Sequence, residues 1–334
     1  MKKIAILGGG SWGTALAIAL ARSRQPHRLA LWVHSTELAA EMQERRVNSV
    51  YLPGFELPRE AEVTAGAAVA LDGAEIVLGV MPSAHAREVY SRILPHLNSR
   101  MNLVSATKGL ESVTLERMTQ VIAEVCKPKF AARVAALSGP SFAREVARGD
   151  PTAVVVASED AALAENIQDE LSGPTFRLYT NSDVVGVELG GAVKNVVAIA
   201  AGVCEGLGLG HNTAAALITR GLAEVTRLGC AQGGRRETLA GLAGMGDLVL
   251  TCTSGLSRNR SVGVALGKGQ RLEEILASTR MVAEGVRTTA ATMELARRAG
   301  IEMPITEQMN AVLYQGRAPR DAIRELMDRR LKQE

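Results

Sequence analysis

The chain of 334 residues is poor in aromatic side chains, with four Phe, four Tyr and two Trp, 3% in all. Any core must therefore be packed from Ala, Val, Leu and Ile. Its four cysteines, Cys126, Cys204, Cys230 and Cys252, stand far apart with no C-x-x-C spacing. That excludes a disulfide framework and a zinc ribbon, so no metal site is expected, and reduced thiols fit a cytoplasmic protein. The formal net charge is only +3, and basic residues are dispersed apart from doublets such as Arg45-Arg46 and Arg329-Arg330. No nucleic-acid partner is expected. No run of 18 apolar residues reads as a membrane span. The opening MKKIAILGGG is too short for a signal peptide and fits a strand. The apolar stretch 192–204 reads as a buried core helix.

What the chain does have is glycine, 33 residues in clusters, and two different rhythms of apolar residues. Short apolar runs at 3–7, 28–33, 75–80, 102–106, 134–137, 152–157 and 175–179 read as strands. Helix-compatible stretches at 13–22, 84–94, 115–126 and 142–147 lie between them. Strand–helix alternation with near-continuous apolarity predicts an α/β fold with a parallel sheet covered on both faces. After about residue 181 strand signals stop. Helical stretches follow at 184–205, 213–228, 247–252, 261–266, 272–277, 288–299, 306–314 and 319–331. We therefore expect two domains, an α/β domain at 1–180 and an all-helical domain at 181–334, each within the ordinary range of roughly 100–200 residues.

Gly8-Gly9-Gly10-Ser11-Trp12-Gly13 is a G-x-G-x-x-G loop. Alone such a loop is weak evidence, but a strand precedes this one and a helix follows. Gly8 would allow the tight turn, Gly10 the approach of a pyrophosphate, and Gly13 close packing of helix on sheet. The second strand usually ends on an acid that binds the ribose of NAD. Here it ends Trp32-Val33-His34-Ser35-Thr36. With no carboxylate to repel a 2′-phosphate, and with His34, Arg45 and Arg46 at hand, NADP is expected to be accepted beside NAD. His34 could otherwise simply end the strand.

Reduction of a ketone needs a proton donor, a stabilising charge and a grip on the rest of the substrate. Lys194 is the candidate donor. Gly186, Gly190 and Lys194 fall four apart on one helix face, with Gly191 and Asn195 beside them. Glycine inside a helix costs roughly 1 kcal/mol relative to alanine. Something must come close at this face, either a ligand or another backbone. Lys108 follows a strand in Thr107-Lys108-Gly109, where α/β ligand sites lie, although a surface lysine reads the same way. Leu137-Ser138-Gly139-Pro140-Ser141 is a similar turn, whose serines could cap a helix, bind a ligand, or do both. Asp247 could cap a helix or orient a lysine. Ser257-Arg258-Asn259 joins hydroxyl, guanidinium and amide, a set suited to a phosphate or a carboxylate.

These segments together resemble the bacterial glycerol-3-phosphate dehydrogenases [NAD(P)+] nearly end to end. The likeness runs through GGGSWGTALA (8–17), SATKGLE (105–111), LSGPSFAREVARGDPTA (137–153), ELGGAVKNVVAIAAG (188–202), GLAGMGDLVLTCTS (241–254), SRNRSVG (257–263) and VAEGVRT (282–288). The resemblance implies a Rossmann-type N-terminal domain and an all-α C-terminal domain in a cytoplasmic homodimer. It implies reversible reduction of dihydroxyacetone phosphate by NADH or NADPH to sn-glycerol 3-phosphate, for phospholipid synthesis. By resemblance Lys194 is the general acid and base. Lys108, Gly139, Ser141, Asp247, Ser257, Arg258 and Asn259 match substrate-contacting positions. Ser11, Trp12, His34, Tyr51, Ala143, Val282 and Glu284 match cofactor-contacting ones, and Lys108 and Arg258 match contacts to both ligands. The family often has arginine where this chain has His34.

Overall fold

The computed structural model describes residues 1–278 and 283–330. Its elements run β1 (Lys2–Leu7), α1 (Ser11–Leu20), β2 (His27–Trp32), α2 (Thr36–Arg45), β3 (Val47–Asn48), β4 (Leu52–Glu56), β5 (Ala61–Thr64), α3 (Ala67–Leu71), β6 (Ile76–Gly79), α4 (Ala86–Ile93), β7 (Asn102–Ser105) and α5 (Met118–Cys126). Then come β8 (Arg133–Ser138), α6 (Ala143–Arg148), β9 (Thr152–Ala157), α7 (Ala161–Leu171), β10 (Phe176–Asn181), α8 (Val184–Gly206), α9 (His211–Ala231), α10 (Arg236–Ala240), α11 (Asp247–Thr253), α12 (Arg258–Gly267), α13 (Leu272–Ala277), α14 (Glu284–Ala299), α15 (Pro304–Tyr314) and α16 (Pro319–Met327). The chain divides into two compact units. One is Met1–Glu111 with Glu116–Glu188; the other is Ser112–Leu115 with Leu189–Glu334.

The first unit holds an eight-stranded sheet in the order β10-β9-β8-β7-β6-β1-β2-β5. Neighbours from β8 to β5 are parallel, with Ile4 opposite both Leu29 and Ile76. β9 departs from the expected all-parallel sheet. It pairs antiparallel with β8, and β10 then pairs parallel with β9. Successive side chains of β1 go to opposite faces, as the pleat requires. Ile4 and Ile6 join one core, while Ala5 and Leu7 join the other. Both faces are buried, which is why the strands read as continuous apolar runs.

Among the described residues of the second unit there are no strands. Its core is mainly Val, Ala, Ile and Leu, with Cys204, Cys252, Met303 and Met309, drawn from α8 through α16, as the shortage of aromatics demands. Bare glycines set its tightest crossing. A Cβ on Gly202 would lie 2.0 Å from the Arg260 carbonyl oxygen, and one on Gly263 would lie 2.0 Å from that of Ile199. Thus α8 and α12 meet backbone to backbone. At Val184–Gly206 α8 matches the helical stretch expected at 184–205 to within one residue. It is long and apolar enough to cross a membrane, but its most apolar window is 94% buried within the structure. Of the last predicted helix, residue 331 lies outside the described residues.

Candidate active site

In the first unit, β1 runs into Gly8, whose φ of +134° suits glycine alone. A Cβ there would lie 2.6 Å from the Val80 carbonyl oxygen. A Cβ on Gly13 would lie 1.9 Å from the Gly8 carbonyl oxygen, so α1 can close on the turn only because Gly13 has none. Around Gly10 the space is open, with nothing within 4 Å of a Cβ position. Gly10 is also the N-cap of α1 and offers no side-chain cap. The first N–H groups of the helix, at Ser11, Trp12 and Gly13, therefore meet no side-chain cap and have the positive end of the helix dipole behind them. Two glycines closed by backbone and one left open form a cradle that fits a pyrophosphate. Trp12 leans on Phe176, with ring centroids 6.4 Å apart.

At the end of β2, His34 is exposed, its ring edge-on to Trp32 at 6.0 Å. Ser35 caps α2 by accepting from the Leu38 N–H at 3.1 Å and donates to Glu37 at 2.8 Å. Of the two arginines read as possible helpers of a 2′-phosphate, one is engaged elsewhere. Arg46 donates to the carbonyls of Pro58 and Ala61 and to Gln43. Arg45 is exposed, 3.8 Å from Glu41. Arg46 is thus taken up by its carbonyl partners, while His34 and the exposed Arg45 remain of the three.

Because β7 and β8 are adjacent and parallel, the turns after their carboxyl ends meet. The Lys108 ammonium donates to the Gly139 carbonyl at 2.8 Å, and the Ser141 hydroxyl donates to the same oxygen at 2.9 Å. Gly139, at φ +137°, would put a Cβ 3.0 Å from the Val154 Cα. Three predicted residues thus form one knot. Neither Ser138 nor Ser141 caps α6, which begins at Ala143 without a side-chain cap. Ser138 is 5% exposed, and its hydroxyl has no hydrogen-bond partner.

In the second unit Lys194 is 5% exposed and Asp247 1%. Its ammonium is paired with the Asp247 carboxylate and donates to the Thr251 hydroxyl at 2.8 Å. Thr251 in turn donates to the Asp247 carbonyl at 2.6 Å. Asp247 is delivered by a single π-helical turn, Leu242–Gly246, in which the Gly246 N–H reaches back to the Gly241 carbonyl at 3.0 Å. Such turns concentrate at functional sites. A Cβ on Gly190 would lie 2.8 Å from the Ala243 carbonyl oxygen. At Gly190, then, the cleared helix face admits another backbone, the one that presents Asp247. Cys252 lies beside this group. Burial pushes its thiol up to about 12, so it stays protonated and inert.

Asn195, next to Lys194 on α8, is bonded to Asn259. The Asn259 amide donates to the Asn195 side-chain oxygen at 2.9 Å and accepts from the Gly285 N–H at 2.9 Å. Ser257 caps α12 by accepting from the Arg260 N–H at 3.2 Å, which leaves its own hydrogen to donate. Arg258, first in α12, keeps exposed surface, but the protein packed around its guanidinium pulls it below its ordinary value, an effect that the nearby Glu284 charge offsets only in part. Val282 lies outside the described residues. Sequence reasoning missed Thr251, although its place four residues after Asp247 on one helix was a usable signal. It also missed Asn48, for which no local signal exists.

The N-terminal profile of the NAD-dependent glycerol-3-phosphate dehydrogenases matches residues 3–164, and the C-terminal profile matches 183–324. A glycerol-3-phosphate dehydrogenase [NAD(P)+] of Koribacter versatilis is 60% identical over 98% of both chains. One of Citrifermentans bemidjiense is 53% identical over 100% of this chain and 99% of its own. The crystal structure of glycerol-3-phosphate dehydrogenase from Coxiella burnetii superposes with a TM-score of 0.91 at 42% identity, covering 98% of this chain and 99% of its own. With a glycine cradle in one unit, a buried lysine–aspartate pair in the other and relatives matched end to end, the chain belongs to the NAD-dependent glycerol-3-phosphate dehydrogenase family.

Proposed function

We propose that this chain reversibly reduces dihydroxyacetone phosphate to sn-glycerol 3-phosphate with NADH or NADPH, supplying glycerol phosphate for phospholipid synthesis. The observation that carries the chemistry is the buried Lys194, held by Asp247 and Thr251. When bound, the nicotinamide cofactor supplies the hydride. Gly8, Gly10, Ser11, Trp12 and Gly13 would hold its pyrophosphate, and His34, Tyr51, Ala143, Val282 and Glu284 the remainder. As the substrate carbonyl oxygen gains charge, the Lys194 ammonium donates a proton to it. In the reverse direction the amine takes the proton back. Asp247 and Thr251 aim the ammonium, which limits the conformations lost on reaching the transition state.

In the helical unit the phosphate would be gripped by Arg258, with the Ser257 hydroxyl and the Asn259 amide at the N-terminus of α12; in the sheet unit Lys108, Gly139 and Ser141 keep their role as expected substrate contacts. By family resemblance, Lys108 and Arg258 are each expected to contact cofactor as well as substrate. A helix N-terminus with a guanidinium beside it is a ready anion site. The active species is a cytoplasmic homodimer. The test is the absorbance of NADPH on adding dihydroxyacetone phosphate. It should fall rapidly, and far more slowly with three-carbon 2-oxo acids. Turnover of an oxo acid at the higher rate would sink the phosphate reading.

A further inference from the structure

Asn48 is wholly buried, yet it lies far along the chain from the glycine loop that its side chain touches. Its amide nitrogen donates to the Gly9 carbonyl at 2.9 Å and to the Thr14 hydroxyl at 2.8 Å. Its amide oxygen accepts from the Tyr51 N–H at 3.0 Å. Thr14 passes the restraint on, since its hydroxyl donates to the Gly10 carbonyl at 2.9 Å. Asn48 thus fixes the Gly9 carbonyl and the turn that carries Tyr51, and it orients the Thr14 hydroxyl that holds the Gly10 carbonyl together with the Thr14 N–H at 3.0 Å.

In a planar trans peptide the C=O and the following N–H point in opposite directions. Holding the Gly9 carbonyl on Asn48 therefore turns the Gly10 N–H to the other side of the loop. Holding the Gly10 carbonyl on Thr14 does the same for the Ser11 N–H. Glycine peptides are the ones that could otherwise rotate at little cost. A rotated peptide would present a carbonyl oxygen, and so partial negative charge, where the cradle must present N–H groups.

We propose that Asn48 is a positioning residue for the cofactor, setting the peptide orientation of the pyrophosphate cradle and tying it to Tyr51. This rests on the reading of the Gly8–Gly13 loop as the cofactor site. The design has to be in place before the anion arrives, so its effect belongs to cofactor affinity and not to the proton-transfer step.

The experiment compares Asn48→Asp, Thr14→Val and Thr14→Ser with wild type. Titrations read the Kd of NADPH and of ADP-ribose, and steady-state kinetics reads KM for dihydroxyacetone phosphate and kcat at saturating cofactor. Asn48→Asp keeps the acceptor for Tyr51 but loses both donated bonds, which should raise both Kd values about tenfold or more. The KM for dihydroxyacetone phosphate should move little. Thr14→Val should shift Kd the same way by less, and Thr14→Ser, which keeps the hydroxyl, should restore it. A folded Asn48→Asp with wild-type Kd overturns the proposal. If Asn48→Asp does not fold, equal Kd values for Thr14→Val and Thr14→Ser overturn it, and a loss confined to the valine supports it. Gly10→Val separates the two readings. If it leaves NADPH affinity intact, the loop itself is not the cofactor site. If it abolishes binding while Asn48→Asp does not, only the role of Asn48 is lost.

Discussion

The two units offer anions two different surfaces. In the sheet unit the cradle is backbone, and its quality depends on atoms that are missing. Gly13 works because a Cβ would lie 1.9 Å from the Gly8 oxygen, and Gly10 because nothing fills the space above it. In the helical unit the candidate groups are side chains, Lys194, Asp247, Thr251, Asn259 and Arg258, and their quality depends on partners being present. The first kind of site is damaged by adding atoms, the second by removing them. The difference follows from the task. A pyrophosphate needs several fixed donors and no proton transfer, whereas a ketone needs one group that can give up a proton.

The sharpest break in that comparison comes from Lys194→Ala. Loss of a general acid typically costs about 10²–10⁴ in rate, so kcat should collapse while the NADPH Kd stays within a few-fold. A folded variant with wild-type kcat would remove Lys194 from the chemistry. In the sheet unit, Gly13→Ala adds one carbon where none fits. Overpacking of this kind typically costs about 1–3 kcal/mol, so Tm should fall and cofactor affinity with it. Gly10→Ala should leave Tm near wild type. Equal Tm losses at the two positions would contradict the closed and open faces of the loop.

Arg258→Ala should lower kcat/KM for dihydroxyacetone phosphate by an amount equivalent to about 1.5–3 kcal/mol, as expected for a hydrogen bond to a charged group. Unphosphorylated dihydroxyacetone, already a poor substrate, should lose little more. The two enzymes by two substrates isolate the arginine–phosphate term. The same loss on both would make Arg258 structural or purely cofactor-binding. His34→Asp should weaken NADPH several-fold more than NADH, by putting a carboxylate where the 2′-phosphate is expected. Equal weakening would place the ribose elsewhere.

The smallest effect concerns stability. Glu224 accepts from the Ile305 and Thr306 N–H groups at the start of α15, and burial pushes its carboxyl up from 4.5 to about 7. The folded chain therefore keeps a proton that the unfolded chain releases. This contribution is whole below pH 4.5 and is lost as pH rises through 7. Glu224→Gln should flatten Tm against pH across that window. An unchanged slope would mean the carboxyl is ionised throughout.

The central strands were legible because burial on both faces leaves few polar positions. The strand at Thr152–Ala157 was placed to the residue. Its direction was not, since an apolar run reads the same both ways. The helix α2 escaped notice because TELAAEMQER buries only Ala39 and Met42, too little for a periodic signal. The pair β3–β4 and the short edge strand β5 escaped for the same reason. At the site, Lys108, Gly139 and Ser141 could be named singly from their turns after strands, but not joined.

Sequence by itself determined the kinds of group available: a glycine loop without side chains, a lysine on a glycine-cleared helix, and an arginine flanked by hydroxyl and amide. These depend on residues close together in the chain, where spacing alone sets geometry. Tertiary structure decided which groups meet. The adjacency of β7 and β8 hangs Lys108 and Ser141 on one carbonyl. A π turn packed against Gly190 brings Asp247 to Lys194. Asn48 reaches the loop only because the chain folds back after α2. Hydrogen bonds between residues distant in sequence leave no periodic trace, because any donor and acceptor brought to about 3 Å will serve.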